Sequence, residues 1–570
     1  MKTFANHCLD RMTYGARQSD IQAFNALGGN NDARLSAWVD QQLDWSNIDD
    51  STFESRISGL GFDTLNKTLV QQWTDHHVNN NDRNRPSEQM ERLMVTRALH
   101  SERQLLESLA DFWHNHFSVF LYDFYAQSSF VSWDRDVIRP PISGHPRRSG
   151  MAAGHMLGNF RKMLELSSQH VAMQYYLDNY VNRDGSNNEN YAREVMELHT
   201  MGAENYRALE PAASVPKTGI PMPWGPGGSD ISVSVADYYV DDDVYAAMDM
   251  LTGWRIKDHS NRSESDFSDT AEFFFYPDWH DRAAKTILGY SWSAFAPAPA
   301  DILQYFDLIA YHPGTARHIA GKLCRRFISP DPPQSVIDNV ANTFYNNRYA
   351  DDQLERTYRT LLNSGAFKNS SNWGTIIKRP MELLISALRV CGSDISLHPG
   401  DSHSWNIINF YMGRAGHRPF YRRSPDGFPM EEQEWLGSNS LLYELRGIDW
   451  ICDRNSSNQD NAIIPLLRIT QNASNAELPS ETPNNLASYW LTRILGYEPG
   501  GGWQGDPMHT ALRDFLLKNP NDPSQWPANQ PFEDEDGQSI LGTNSWPTYI
   551  HERLRGMVKL ALASPQFMYR

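Results

Sequence analysis

Residues 186–202 read Ser186-Asn187-Asn188-Glu189-Asn190-Tyr191-Ala192-Arg193-Glu194-Val195-Met196-Glu197-Leu198-His199-Thr200-Met201-Gly202. The stretch predicts a single helix, because Ser186 and Glu189 have the spacing of a capping box and Gly202 is typical of a helix end. Steps of about 100° per residue separate the polar side chains from the apolar ones. The polar arc holds Glu189, Asn190, Arg193, Glu194, Glu197 and Thr200.

The polar arc has two interpretations. As a solvated face, it would form ion pairs between Glu189, Arg193 and Glu197, each worth about 0.2–0.5 kcal/mol to the helix. As the wall of a cleft, it would present Glu194 and Glu197 one turn apart, close enough to share a metal ion or to divide acid and base roles. The choice between the two depends on the rest of the chain.

The composition argues against nucleic acid or an anionic membrane as a partner. The 570 residues include 51 basic and 69 acidic side chains, a formal charge of −18, which repels polyanions. No apolar run is long enough to span a membrane. The 17 Trp and 25 Tyr residues suit stacking on sugar rings, although a large core uses the same residues.

The four cysteines are Cys8, Cys324, Cys391 and Cys452, and they form no CxxC pair. A zinc–thiolate site is therefore disfavoured. One or two disulfides could form if the protein is exported, and their spacing does not say which residues would pair. No signal peptide is visible after Met1, so the protein is either cytosolic or has lost a leader.

Helical periodicity covers most of the chain and predicts a mainly α fold. We expect one large helical body over residues 1–570, with irregular loop insertions and little strand. No linker divides it, and it contains no phosphate-binding glycine loop, nucleophile elbow or obvious repeat. Residues 203–241 form a proline- and glycine-rich insertion within it, either an ordered functional loop or a mobile lid.

Two further motifs carry histidines. Residues 111–117 read DFWHNHF. In a continuing helix, His116 would face the apolar stripe and His114 would point nearly opposite, which favours one buried and one surface histidine. Only an extended chain after Trp113 would turn both toward one metal ion. The pair His280-Asp281 suits a metal ligand, a general base, or a cap or turn, and the last is favoured for the pair alone.

The chain carries a series of long motifs in order. They are DFWHNHF at 111–117, ENYAREVMEL at 189–198, DV at 243–244 before LTGW at 251–254, HD at 280–281 with Lys285 and LG at 288–289, HP at 312–313 with ARHIA at 316–320, and ASPQF at 563–567. This series resembles the bacterial domain of unknown function 1800 family. The resemblance spans nearly the whole chain, from Arg11 to Phe567.

The resemblance implies export, because most members look exported, and it implies no settled activity. It also implies a partner, because a sulfatase-like secreted protein is often encoded beside members of the family. The chain departs from the pattern at two places. Residues 203–241 look like an insertion, and His417-Arg418 stands where an uncharged amide and a neighbour are expected. Both departures would alter any substrate shared by the family.

The first hypothesis is a periplasmic or secreted enzyme, a hydrolase such as a glycosidase, that acts on a polar, glycan-like substrate. Its candidate reacting groups are Glu194, Glu197, His280 and Asp281. Its candidate substrate-binding residues are Asn190, Arg193, Trp254, His417 and Arg418. His116 is the candidate ligand of a divalent metal ion, such as Mg²⁺, Mn²⁺, Fe or Zn²⁺. Without a metal ion, the two glutamates would divide acid–base work.

The alternative is a non-catalytic exported binding or assembly protein. In that case the same groups form a buried polar network that fixes helix packing. A solvent-connected pocket shared by Glu194, Glu197, His116 and His280 would favour the enzyme, and carboxylates fully matched to arginines and backbone donors would favour the alternative. Because the charged and histidine-bearing motifs fall in separate segments, the enzyme is preferred.

Overall fold

A computed structural model describes residues 2–142, 144–145, 147–258, 268–454, 462–499, 502–503, 505–517 and 548–570. The fold of this part of the chain is mainly α, as predicted, with 56% of it helical, 25 α-helices and only small two-stranded sheets. Among the helices described, none combines the length and the apolar character that crossing a bilayer requires.

Short helices joined by tight turns make up the chain as far as residue 200. The α-helices are Phe4–Met12, Gln18–Ala26, Asn31–Leu43, Ser51–Gly59, Leu69–Gln72, Arg85–His100, Gln104–His116, Phe130–Trp133, Phe160–Gln169, Val171–Tyr176 and Asn190–Glu194. Trp73–Val78, Asp134–Ile138 and Val195–His199 continue three of them as π-helix. This conformation is rare and is frequently found at functional sites.

The remainder contains the other helices and all the described strands. The α-helices are Asp241–Met250, Ala300–Ala310, Pro313–Phe327, Gln334–Asn346, Gln353–Leu362, Gly365–Lys368, Pro380–Val390, Ser402–Trp405, Ser438–Asp453, Leu466–Gln471, Pro483–Leu495, Pro507–Leu517, Thr548–Leu562 and Pro565–Met568, and Asn406–Met412 is π-helix. The strands Lys217–Met222 and Ile231–Ala236, Trp254–Ile256 and Phe273–Phe275, and Lys285–Ile287 and Tyr290–Trp292 form three antiparallel pairs.

Two large hydrophobic cores share one helix. The first core draws its residues from the chain up to Phe367, and the second draws most of its residues from the chain after that point. Helix Arg85–His100 is buried along most of its length and enters both. Its Met90 packs in the first core and its Val95 in the second. A helix that is buried on opposite faces in this way ties the two cores together.

The helix predicted at 186–202 begins later than its sequence suggests. The α-helix starts at Asn190, and Ser186 instead forms an isolated antiparallel bridge with Arg183. The predicted capping box is therefore wrong. Its place is taken by side-chain acceptors, because the Asn188 N–H donates to Asn182 Oδ1 at 3.0 Å and the Asn190 N–H donates to Asn188 Oδ1 at 3.0 Å. Asparagine side chains often compete with helix in this way.

The insertion at 203–241 contains an ordered β-hairpin. Strand Lys217–Met222 pairs with Ile231–Ala236, with Lys217 opposite Ala236. Ile220 and Val233 on this hairpin are buried in the first core. The hairpin is therefore anchored through its apolar side chains.

The prediction of one surface histidine in DFWHNHF is wrong. Helix Gln104–His116 does continue through the motif, yet both His114 and His116 are buried. His114 is covered by Phe420, whose ring centroid lies 4.6 Å from its own. Each of the two faces of the helix packs against another part of the protein. The four cysteines are buried and free.

Candidate functional site

The polar side chains of DFWHNHF each hold a different part of the chain at the end of helix Gln104–His116. Asp111 accepts a hydrogen bond from Arg379 at 2.6 Å. His114 Nε2 lies 2.8 Å from Asp134 Oδ1. The motif is thus a junction between helices, built from buried ion pairs that replace the water its polar groups have lost.

Asn115 holds the loop that contains Asp426. Its amide donates to the backbone oxygen of Phe428 at 3.0 Å and accepts from the Phe428 N–H at 2.6 Å. Gly427 lies between Asp426 and Phe428 in the chain and has φ of 77°. A Cβ atom at this position would clash with the backbone oxygen of Asn115. Only glycine allows so close an approach in this conformation. The loop is therefore positioned by the motif.

His116 contacts the segment that carries the two candidate glutamates. Its Nε2 atom lies 3.2 Å from the backbone oxygen of His199, and its Nδ1 atom lies 3.1 Å from Lys322 Nζ. Because a lysine ammonium only donates, Nδ1 accepts and Nε2 donates. Burial, with the charge of Lys322, holds the pKa of His116 well below its usual range. Both ring nitrogens are occupied, so neither is free to bind a metal ion.

His318 makes the same kind of contact with Leu198, the residue before His199. Its Nε2 atom lies 3.2 Å from the backbone oxygen of Leu198, and its Nδ1 atom lies 2.9 Å from Glu204 Oε1. Burial alone would raise the pKa of Glu204, but the hydrogen bond and charge of His318 outweigh it and lower that pKa. Two successive carbonyls at the end of π-helix Val195–His199 are thus held by imidazoles.

His199 is fully buried, and neither of its ring nitrogens has a hydrogen-bond partner in the described part of the chain. Burial and the charge of Lys322 lower its pKa to about 3. Its ring centroid lies 6.1 Å from that of His116, and His318 lies 6.2 Å from His116 on the same measure. Although three histidines gather here, no three His, Cys, Asp or Glu groups among the described residues are arranged to hold a metal ion.

Glu194 and Glu197 lie beside this histidine cluster on the same segment. Both are half-buried, and neither forms a hydrogen bond or an ion pair with any described residue. Burial and the negative charge of Glu197 raise the pKa of Glu194 to about 7, against the opposing charge of Arg193 and with a smaller contribution from Asp426. Glu194 therefore keeps its proton to a higher pH than an exposed glutamate does.

Arg193 and Asn190 lie on the same helix as the two glutamates but form no hydrogen bond or ion pair with their carboxylates. Arg193 pairs with Glu189 at 3.4 Å and with Asp241 at 3.7 Å. Asn190 is half-buried at the first position of its helix. These contacts leave the two carboxylates without a guanidinium partner.

The contacts of His280 and Asp281 join other elements. His280 Nε2 lies 3.0 Å from Asp301 Oδ2, and its Nδ1 atom lies 3.0 Å from the backbone oxygen of Thr252. Asp281 forms an ion pair with Lys285 at 2.9 Å. These contacts join a strand pair to a helix, and none of them reaches Glu194 or Glu197.

Trp254 and His417 are buried among other rings. Trp254 stacks on Phe306 with centroids 5.0 Å apart. His417 Nδ1 accepts from the N–H of Met381 at 3.3 Å, and its ring meets Phe428 edge-on at 4.5 Å. Burial and the charge of a nearby arginine hold the pKa of His417 well below its usual range.

Arg418 is engaged by a buried carboxylate. Its Nε and Nη2 atoms donate to the two oxygens of Glu91 at 2.6 and 2.9 Å, and Nη2 also reaches the Tyr122 hydroxyl at 2.7 Å. This fork leaves little of the guanidinium for a substrate.

Residues 7–569 match a protein family whose description reads "Protein of unknown function (DUF1800)". The chain belongs to this family. The match covers nearly the whole chain and confirms the resemblance drawn from the motifs. No curated protein and no solved structure matches this family member.

Two cavities of this DUF1800 protein lie away from the glutamate pair. One of ≈ 500 Å³ is lined by Trp45, Phe53, Arg97, Arg103 and Asp134 among others. The other, of ≈ 450 Å³, lies between Trp38, Gln104 and Arg389. Neither of these two cavities is lined by Glu194 or Glu197.

Two residues beside the glutamate helix of the DUF1800 protein, Lys322 and His318, are not among the site residues predicted from the sequence. His318 occurs there only within the ARHIA motif at 316–320. The two lie one turn apart on helix Pro313–Phe327, and that spacing was the available signal. His199 was placed on the apolar arc, where the structure confirms that it is buried.

Proposed function

We propose that the protein is an acid–base hydrolase of polar, glycan-like substrates, with Glu194 and Glu197 as its reacting carboxylates. One observation carries the proposal. Both side chains are half-buried and unpaired among the described residues, whereas the buried Glu107 and Glu382 pair with arginines. Two unpaired carboxylates one turn apart repel each other and weaken the helix, which supports a chemical role for them.

The raised pKa of Glu194, about 7, suits a general acid near neutral pH. In the proposed reaction, Glu194 donates its proton to the oxygen of the scissile glycosidic bond as that bond breaks. Glu197 takes a proton from the attacking water, or attacks the sugar carbon itself before water releases the product. The separation of the two carboxyl groups in a substrate complex selects between these two routes.

The histidines support this chemistry by position. His116 and His318 donate to the backbone oxygens of His199 and Leu198, directly after Glu197. A reacting carboxylate must be held within a fraction of an ångström of its productive position. Hydrogen bonds to the backbone beside it help to hold it there. His116 is therefore proposed as a positioning residue and not as a metal ligand, because both of its nitrogens are already hydrogen-bonded.

The proposal leaves out the other groups considered from the sequence. His280 and Asp281 give their polar atoms to Asp301, Thr252 and Lys285. Arg418 is held by Glu91. These contacts favour structural roles, which leaves two carboxylates for the reaction.

We also propose that the protein works in the periplasm or as a secreted protein, beside a sulfatase-like secreted partner. The support is what the family resemblance implies. Fractionation of the native source, followed by detection of the protein in each fraction, tests it. Recovery from the cytoplasm alone would contradict export.

A second candidate function is a non-catalytic binding or assembly protein. The observation that favours it is a buried network of ion pairs. Asp111, Arg326, Arg379 and Glu382 form one cluster, with bonds such as Arg326 to Glu382 at 2.7 Å. Networks of this kind fix helix packing without any reaction.

The deciding experiment measures reducing-sugar release from a panel of neutral oligosaccharides and polysaccharides. The variants Glu194→Gln and Glu197→Gln should each lose activity by at least about 100-fold, with a melting temperature close to that of the wild type. Glu189→Gln, directly before the same helix, is the matched control and should remain active. A wild-type protein inert on every substrate, or fully active Gln variants, would refute the proposal.

A further inference from the structure

The larger of the two cavities is lined by residues of helices Ser51–Gly59, Arg85–His100 and Gln104–His116, together with residues 131–142. We call this cavity the arginine pocket, because four arginines line it. Its volume of ≈ 500 Å³ lies within the range of about 300–1,000 Å³ that is usual for small-molecule sites. The pocket can therefore hold a ligand of that size.

Each of the three helices contributes apolar side chains to the arginine pocket. Phe53, Leu93 and Leu106 are buried, whereas Trp45 and Ile57 are only half-buried. A ligand that covers the two half-buried side chains removes apolar surface from water, which favours binding. The pocket therefore suits a ligand with an apolar body.

The buried carboxylates in the lining already have hydrogen-bond donors on both oxygens. Arg139 donates to the two oxygens of Glu107 at 2.9 and 2.6 Å and to those of Asp134 at 2.9 and 3.0 Å. Asp50 accepts from the Ser101 hydroxyl at 2.7 Å and from the following backbone N–H at 2.8 Å. These acids therefore do not need a cationic ligand.

Two of the four arginines in the lining are fully engaged and two are not. Each guanidinium nitrogen of Arg139 donates to a carboxylate, and Arg135 donates to both oxygens of Asp136 at 2.7 Å and to a backbone oxygen at 2.8 Å. Arg97 uses only Nη1, and Arg103 uses only Nη2. The other nitrogens of Arg97 and Arg103 have no hydrogen-bond partner among the described residues.

Arg103 is the less satisfied of the two. Its Nε atom is buried without a partner in the part of the chain that the structure describes. Its Nη1 atom lies 3.6 Å from Glu54 and 3.9 Å from Asp50, and both distances are too long for a hydrogen bond. The guanidinium packs over Trp45, 5.3 Å from the ring centre. Because a buried donor without a partner is costly, these nitrogens indicate a missing acceptor.

We propose that the arginine pocket binds a small carboxylate with an apolar body, an arylalkanoate for example, whose carboxylate accepts from Arg97 and Arg103. A carboxylate only accepts hydrogen bonds, and a guanidinium presents its donors in the fork that a carboxylate fits. Glu54, whose side chain is 61% exposed, can turn into solvent when the ligand's carboxylate takes its place. The site is separate from Glu194 and Glu197 and does not depend on the proposed function.

The test is isothermal titration calorimetry of the full chain with 4-phenylbutyrate. Two comparison compounds each lack half of the proposed recognition. In 4-phenylbutanol a hydroxyl replaces the carboxylate, and acetate keeps the carboxylate without the apolar body. The wild type should bind 4-phenylbutyrate at least about ten-fold more tightly than either, because a hydrogen bond between two ionised groups is roughly twice as strong as a neutral one.

Three variants locate the binding. Arg103→Gln should weaken binding of 4-phenylbutyrate at least about ten-fold, with little effect on 4-phenylbutanol. Ile57→Trp fills part of the pocket and should weaken binding of both. Arg56→Gln is the matched control, because Arg56 lies on the same helix but pairs with Asp394 outside the pocket, and it should bind as the wild type does.

The melting temperature of each variant shows whether it is folded. If Arg103→Gln does not fold, Ile57→Trp and the comparison of acid with alcohol decide the question. Absence of any 4-phenylbutyrate binding to the wild type, or equal affinity for the alcohol, would overturn the proposal. Binding that is unchanged in folded Arg103→Gln or in Ile57→Trp would also overturn it, because the ligand would then occupy another place.

Discussion

The Nε2 atom of His116 lies 3.2 Å from the backbone oxygen of His199, and this hydrogen bond joins the end of the DFWHNHF motif to the π-helix that carries Glu197. His318 makes the equivalent bond to Leu198. The last carbonyls of a helix have no partner within it, and here two of them accept hydrogen bonds from other segments of the chain. The position of Glu197 therefore depends on two imidazoles distant in sequence.

Replacing His116 tests this dependence. His116→Ala leaves the buried carbonyl of His199 without its donor, which should lower the free energy of unfolding by roughly 1–3 kcal/mol. His116→Gln can still donate from its amide and should lose less. Urea unfolding of the two variants and the wild type provides the comparison. An alanine variant as stable as the wild type would show that the bond contributes nothing to the fold.

The activity should depend on pH through Glu194. Because its pKa is raised to about 7, the proton that it donates is lost as pH rises past that value, so kcat/KM should fall on the alkaline side. Asp426→Asn removes a negative charge that raises this pKa and leaves both glutamates in place. Its alkaline limb should move to lower pH. A limb that stays in place when kcat/KM is measured across pH would assign the titration to another group.

Glu444 gives a separate test of stability against pH. It is buried, both carboxylate oxygens lack a partner in the described part of the chain, and burial raises its pKa from 4.5 to about 7. The folded state binds this proton more tightly than the unfolded state, so the contribution to stability is complete below about pH 4.5 and is lost as pH rises through about 7. Glu444→Gln should be more stable than the wild type by about 3 kcal/mol at pH 8.

The difference for Glu444→Gln should disappear near pH 4, where the wild-type carboxyl is protonated. Denaturant unfolding at both pH values measures it. Glu434→Gln changes an exposed glutamate just before the same helix, and it should leave stability nearly unchanged at both. Equal stability of Glu444→Gln and the wild type at pH 8 would mean that the carboxylate is solvated.

Alanine substitutions at two glycines with similar φ angles distinguish the cost of backbone strain from the cost of a steric clash. Gly416 and Gly427 have φ of 91° and 77°, but nothing lies near a Cβ atom at Gly416, whereas one at Gly427 would meet the backbone oxygen of Asn115. Gly416→Ala should cost about 1–2 kcal/mol through backbone strain. Gly427→Ala should cost more, since the Asn115–Phe428 pairing must also give way. Equal losses in thermal unfolding would show that the loop adjusts freely.

Much of the fold was predictable because helical periodicity is a local property. Each helix buries a stripe that its own residues define, which is why the mainly α architecture follows from the sequence. The start of the helix at 190 did not follow. It depends on the side chains of Asn182 and Asn188, whose contacts with the backbone override the capping pattern of Ser186. The β-hairpin in 203–241 was missed because proline and glycine mask its alternation.

The candidate site was predictable only along one helix. Spacing alone predicts that Glu194 and Glu197 share a face, and in the structure both are half-buried, with the charge of Glu197 helping to raise the pKa of Glu194. His280 and Arg418 could not be placed, because their partners, Asp301 and Glu91, come from other segments. Nothing in the local sequence distinguishes a histidine that faces a carboxylate from one that faces a cleft.

By itself, the sequence determined the fold class, the family and the placement of Glu194 and Glu197 one turn apart. These features follow from the spacing of neighbouring residues and from the order of motifs along the chain. Tertiary structure alone decided that His116, His318 and Lys322 gather at the end of that helix. It also decided that Glu194 lies where burial and the charge of Glu197 raise its pKa to about 7. Burial depends on contacts between segments far apart in the chain, which no spacing within one segment encodes.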